Sequence, residues 1–109
     1  MYIQDCVKGI EMIMHCDDLI ATPINLGSSE IVSINELVNK VETIAGVQLH
    51  RQYDLTAPRG VAGRNSDNTF IEKVLNWEPN TPLETGLRET YLWIREQVYS
   101  RSKGLRVVV

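Results

Sequence analysis

"SINELVNKVETIAG", residues 33–46, decides how the fold is read. Ser33-Ile34-Asn35-Glu36 is a capping box: the serine side chain accepts from the amide of Glu36, and the Glu36 side chain reaches back to the serine amide. Ile34, Leu37, Val38, Val41, Ile44 and Ala45 then form one apolar helix face. Gly46 supplies the left-handed residue that stops the helix. A short segment with strand character lies on each side. Residues 23–26, PINL, read as a buried strand closed by Gly27, Ser28 and Ser29. Residues 47–53, VQLHRQY, alternate apolar and polar and read as a half-buried strand. Strand, helix and strand predict a right-handed crossover, with 23–26 and 49–53 paired in parallel. The expected fold is α/β, a small domain of about four helices and two or three short strands.

Farther out, residues 3–15 carry a helical stripe of Ile3, Val7, Ile10 and Met14, widened by Ile13. Asp17-Asp18 ends that helix and Pro23 forbids its continuation. Residues 54–63 form a loop with Pro58, Gly60 and Gly63. Phe70, Ile71, Val74 and Leu75 predict a helix of about two turns. Thr81-Pro82-Leu83-Glu84 predicts the start of the last helix, with Thr81 as cap, Pro82 in the first position and Glu84 closing the box. Leu83, Leu87, Tyr91, Ile94 and Val98 mark its expected buried face. Of the seven glycines, Gly9 and Gly86 alone fall inside predicted helices. The chain divides into residues 1–100 and an apolar tail, 101–109, whose Val107–Val109 end is expected to pack or to pair with a second copy.

Composition narrows the function classes. The chain has 109 residues and a net charge of -3, which gives no reason to seek nucleic acid or an anionic membrane surface. No apolar run approaches the roughly 18 residues of a membrane span. The start, MYIQDCVKG, lacks a basic region followed by an apolar block, so no signal peptide is expected. Cys6 and Cys16 are then expected to be reduced, and the protein cytoplasmic. His15, Cys16, Asp17 and Asp18 are adjacent, but neighbouring residues point in different directions and no second ligand cluster exists, so no metal is expected. His50 reads as a surface residue, since nothing near it in sequence would orient it.

No dinucleotide glycine motif, P-loop or nucleophile elbow is present. Tyr99 and Lys103 fit Y-x-x-x-K, but two fixed positions at a helix end make a chance match. The stretch rich in hydrogen-bonding groups is GRNSDN, 63–68. Arg64 offers a planar fork of donors suited to phosphate oxygens, just before a predicted helix start. Asp67 can cap that helix, accept from a sugar hydroxyl, or both. The residues alone leave two readings open: an anion ligand, or a solvated arginine beside an ordinary cap.

The order of motifs carries a resemblance. YIQDCVKGI, then PINLGSSEIVSINEL, then GVAGRNSDNTFIEKVLNWEPNTPLETGLRETYLWIREQ resembles the C-terminal part of the extended short-chain dehydrogenase/reductase family that acts on nucleotide sugars, in particular its GDP-mannose 3,5-epimerase branch. It covers residues 2 to about 98. NLGS, S-I-N-E and W-x-P are general to that superfamily, whereas GRNSDN with GLRETYLWI is more specific.

The resemblance implies the substrate-binding portion of an NAD-dependent epimerase/dehydratase, with the Rossmann domain absent. It implies that Arg64 contacts the substrate diphosphate, that Asp67 lies near the ribose or supports the loop, and that Asn65 belongs to the same substrate-binding set. The family's catalytic groups and NAD site lie upstream of the matched stretch, so no catalytic residue and no cofactor are expected here. Two departures stand out: the second arginine of the family's V-R-G-R is Ala62, and the glycine of its G-W-x-P is Asn76, a residue that still tolerates a left-handed turn. The expected partners are a GDP-sugar, a separate Rossmann-domain chain, and a second copy of this chain in a homodimer or higher oligomer with Val7, Ile10 and Met14 in contact. The competing expectation is a structural or interaction protein with a vestigial pocket.

Overall fold

The computed structural model describes residues 1–102. The elements are α1 (Ile3–Met14), a 3-10 turn at Asp17–Leu19, α2 (Ile34–Ala45), α3 (Thr69–Leu75) and α4 (Leu83–Ser102). The Val107–Val109 tail and Lys103 of the Y-x-x-x-K match lie outside the described residues. Among the described residues no helix is long and apolar enough to cross a membrane.

The α/β expectation is corrected: the described residues contain helices and no strand or sheet. The two segments read as strands do not pair with one another. Residues 47–53 instead run back along α2. Tyr53 Oη donates to Asn35 Oδ1 at 3.0 Å, Arg51 donates to Asn39 and Glu42, and the Leu49 amide donates to Glu42 Oε1 at 3.1 Å. Alternate residues of an extended chain are roughly 6–7 Å apart, and residues four apart on a helix are about 6 Å apart. The period-2 pattern therefore matches a polar stripe on a helix as well as it would a neighbouring strand. Residues 23–29 are held by a different partner, described below.

Helix α2 forms as its sequence dictates. The Ser33 amide donates to Glu36 Oε2 at 2.7 Å, the Glu36 amide donates to Ser33 Oγ at 3.1 Å, and Gly46 sits at φ +69°. At the end of α3, Asn76 takes φ +48°, so the left-handed turn before Trp77 survives without glycine.

The last helix is capped differently from expectation. It starts at Leu83, and the Thr81 amide donates to Asp5 Oδ2 of α1 at 2.9 Å. The Leu83 amide donates to Glu30 Oε2 at 2.9 Å. Glu84 turns outward to Lys40 and Arg88. Carboxylates from distant segments satisfy the helix start, where the dipole favours negative charge.

Glycines set the close approaches. An added Cβ at Gly9 would stand 2.5 Å from Leu26 Cδ1 and 3.1 Å from the Trp77 ring. One at Gly86 would stand 3.0 Å from the Tyr2 ring. The two mid-helix glycines are thus the points where α1 receives Leu26 and Trp77, and where α4 receives Tyr2.

The buried apolar centre is small, with Leu19 and Ile71 buried and Phe70 at the surface. The apolar stripe of α1 faces outward: Ile3, Val7, Ile10 and Met14 are 63, 58, 48 and 77 % exposed. The inward face carries Asp5 and Gly9 instead. On α4, Leu83, Leu87 and Tyr91 are half-buried, while Ile94 and Val98 are exposed.

Candidate functional site

GRNSDN follows the loop 54–63 and lies against the turn that follows PINL. Three consecutive carbonyls of that turn are claimed by it. Asn68 Nδ2 donates to the Gly27 carbonyl at 3.0 Å, the Ser66 amide to the Ser28 carbonyl at 3.0 Å, and Asn65 Nδ2 to the Ser29 carbonyl at 3.2 Å. Asn68 is buried, and its amide group also donates to Glu78 Oε2 at 2.8 Å. Much of the stretch's hydrogen-bonding capacity therefore ties two loops together.

Asp67 is spent locally. Its Oδ1 accepts from Thr69 Oγ1 at 2.7 Å and from the Thr69 amide at 3.0 Å. Those two bonds, the hydroxyl's first, hold its carboxyl below the usual carboxylate range. Of the three expected substrate-binding residues, Asn65 and Asp67 are thus engaged within the chain. Arg64 is exposed, and among the described residues no hydrogen bond or ion pair engages its guanidinium.

Arg64 lines a cleft of about 710 Å³ between the 28–34 and 61–64 segments and the start of α4. Tyr2, Ile31, Val32, Val61, Leu83 and Leu87 give it apolar walls, and Ser28, Glu30, Ser33 and Thr90 add polar groups. A cleft of this size, apolar with a few polar groups and one cation at its edge, suits a flat ring bearing an anionic group. Glu30 already accepts the Leu83 amide, so the cation and the carboxylate in the lining have different duties.

Sequence reading brought out Arg64 and missed the supports. Asp5, Glu30 and Glu78 carry no local pattern, because each acts on a segment distant in the chain. Gly9 and Gly86, anomalous inside helices, are the signal from which the Trp77 and Tyr2 approaches could have been found.

No protein-family model matches the chain. The curated relatives it is similar to include GDP-mannose 3,5-epimerase from Arabidopsis thaliana, 41 % identical over 94 % of this chain and 27 % of the relative. GDP-mannose 3,5-epimerase 1 from Oryza sativa subsp. indica is 40 % identical over 89 % of this chain and 25 % of the relative. Probable GDP-L-fucose synthase 1 from Oryza sativa subsp. japonica is 36 % identical over 73 % of this chain and 24 % of the relative. The chain spans about a quarter of the length of these relatives. By sequence it is homologous to the C-terminal portion of the short-chain dehydrogenase/reductase nucleotide-sugar epimerases.

Proposed function

We propose that this chain is the substrate-binding C-terminal portion of a nucleotide-sugar epimerase of the GDP-mannose type, holding a nucleotide diphosphate on Arg64 and supplying no catalytic group of its own. The observation that carries the reading is Arg64 itself: a guanidinium without a protein partner among the described residues, on the edge of a cleft with apolar walls. Asn65, Ser66 and Asn68 hold its loop from behind, so the fork is presented on an anchored backbone. Asp67 supports the helix start that follows and lies within reach of a bound sugar only if it exchanges its Thr69 partners.

NAD serves the wider family, but the described residues offer no strand followed by a glycine loop at a helix start, the element that seats a dinucleotide. No step through that cofactor is assigned to them. A Rossmann domain outside the described residues is proposed to bring it. The two cysteines are free thiols, in keeping with a reducing compartment, and the cytoplasm is the proposed location.

The test is a calorimetric titration with GDP, GDP-mannose and UDP-glucose, repeated on Arg64→Ala. Saturable binding of GDP that is lost in the variant is the expected result. No heat of binding at millimolar ligand would overturn it. A second reading, a structural protein with a vestigial pocket that acts through self-association, is favoured by the outward apolar stripe of α1.

A further inference from the structure

We propose that Arg59, carried on the 54–63 loop, is a second anion ligand of the cleft, and that it pairs with the outer phosphate of a nucleoside diphosphate whose inner phosphate Arg64 holds. The proposal rests on the nucleotide reading and adds to it a residue and a moving segment.

Charge shows why one cation is too few. Among the described side chains that line the cleft, Arg64 is positive and Glu30 is negative, so their charges cancel. A terminal phosphate alone carries about −1.5 to −2 near neutral pH, and an inner phosphate adds to that. A diphosphate held by Arg64 alone would keep most of its charge unmatched, beside a carboxylate and against apolar walls that reduce screening.

Several other basic side chains already have partners. Lys40 and Arg88 address Glu84, Arg51 addresses Glu42, and Lys8 lies over the Trp77 ring. Arg59 is exposed and has no ion pair or hydrogen bond among the described residues. It stands two residues before Val61, where the chain begins to line the cleft, and five before Arg64. Five residues span at most roughly 18 Å between α-carbons, so two long side chains that turn toward each other can share one diphosphate. Arg64 belongs to the lining and adjoins the anchored Asn65, whereas Arg59 lies outside the lining. A base between the apolar walls therefore sets its inner phosphate at Arg64 and its outer one toward Arg59.

The loop is free to bring Arg59 in. Tyr53 fixes one end through Asn35, and Asn65 fixes the other through the Ser29 carbonyl. The bonds from Thr56 to Asp54 are local, and among the described residues no hydrogen bond ties 58–64 to the body of the fold. Within that span, a Cβ added to Gly60 would have no atom within 4 Å, and Gly60 lies outside the left-handed region. Neither a close approach nor a left-handed turn calls for glycine there, and backbone freedom is the use that remains. Pro58 stiffens the chain on the far side of Arg59. Rotation at Gly60 thus carries Pro58 and Arg59 together toward the cleft.

Calorimetric titration of the full chain with GDP and with GMP tests this on wild type, Arg59→Ala, Arg64→Ala and Gly60→Pro. Far-ultraviolet circular dichroism verifies that each variant keeps its helices. Arg59→Ala is expected to lower GDP affinity about tenfold, the size of one charge-assisted bond, and to leave GMP affinity unchanged. Arg64→Ala should weaken both ligands. Gly60→Pro keeps both guanidinium groups but stiffens the hinge, so it should lose GDP affinity as Arg59→Ala does. Unchanged GDP affinity in Arg59→Ala, beside a loss in Arg64→Ala, overturns this proposal and leaves the nucleotide reading standing. Equal losses of GDP and GMP in Arg59→Ala overturn the assignment to the outer phosphate, and full GDP affinity in Gly60→Pro overturns the loop movement. A wild type that binds neither ligand overturns the nucleotide reading and this proposal with it.

Discussion

The Thr81 amide donates to the Asp5 carboxylate at 2.9 Å, so a residue in the first helix anchors the segment that leads into the last one. Asp5 is itself buried, at 8 % exposure. A local cap would need only its own turn, whereas this bond ties the segment that leads into α4 to α1.

Replacing Asp5 by alanine removes a charge-assisted bond and leaves the Thr81 amide without its acceptor. The expected loss is about 1–3 kcal/mol. It should appear as a lower urea midpoint with an unchanged slope. Asp5→Asn keeps an acceptor oxygen and should lose less. Equal losses for alanine and asparagine would mean that the charge, and not the hydrogen bond, supports the helix start.

Gly86→Ala should destabilise, although alanine is the better helix former by about 1 kcal/mol. The added methyl would meet the Cβ, Cγ and Cδ2 atoms of Tyr2 at 3.0–3.1 Å, the base of a side chain near its backbone. Overpacking of this kind typically costs about 1–3 kcal/mol, which exceeds the helix gain. A raised melting temperature for Gly86→Ala would show that Tyr2 can move aside without loss.

Helices with local signals were legible from sequence, and segments defined by distant partners were not. Ser33, Glu36 and Gly46 bound α2 using groups of their own turns, so the pattern and the structure coincide. The alternation in 47–53 was real, but it records an extended chain laid on the Asn35, Asn39 and Glu42 stripe of α2, and periodicity cannot name the partner. The stripe on α1 is apolar as its spacing predicts and faces outward, because periodicity marks an apolar face without naming what covers it. At the cleft, Arg64 was visible through its chemistry. The Asn68 bonds to Gly27 and Glu78 join positions 41 and 10 residues apart and leave no short-range trace.

Asn68 should be the least replaceable residue of GRNSDN. Its amide nitrogen bridges the Gly27 carbonyl and the Glu78 carboxylate from a buried position. Asn68→Asp is nearly the same shape but turns a donor into an acceptor and sets two carboxylates together. The expected cost is about 2–4 kcal/mol near neutral pH. It should shrink as the pH falls and one of the acids takes up a proton. Thermal melts of wild type and variant between pH 4 and 7 measure this. A constant difference across that range would mean that the lost bond, and not the new charge, is responsible.

Acid should weaken the fold through four carboxylates, three of them exposed and Glu42 half-buried. Glu36, Glu42, Asp54 and Asp67 are each held below their ordinary values, chiefly by bonds from Ser33, Arg51, Thr56 and Thr69 respectively. For a group lowered by folding, the unfolded chain binds the proton first. Its contribution is present above the unfolded value, near 4, and is lost as the pH falls through the folded value. The melting temperature should therefore be flat from pH 7 to about 5 and then decline. Glu42→Gln should flatten the decline, because it removes the carboxylate that Arg51 and the Leu49 amide both address. A profile as steep as the wild type's would exclude Glu42 as a contributor.

Arg64→Ala is expected to separate binding from folding. The side chain is exposed and has no partner among the described residues, while the loop beneath it is held by Asn65, Ser66 and Asn68. Stability should therefore change by no more than about 0.5 kcal/mol, as for other surface substitutions away from special features. Binding of GDP should fall at least tenfold, because a charge-assisted bond to phosphate contributes about 1.5–3 kcal/mol and tenfold corresponds to about 1.4 kcal/mol. Arg64→Lys keeps the charge but loses the planar fork, so it should fall between wild type and alanine. Equilibrium titration of the three proteins beside their urea curves decides the matter. A large stability loss in Arg64→Ala would make the guanidinium a structural group, and an unchanged affinity would move the diphosphate away from this cleft edge.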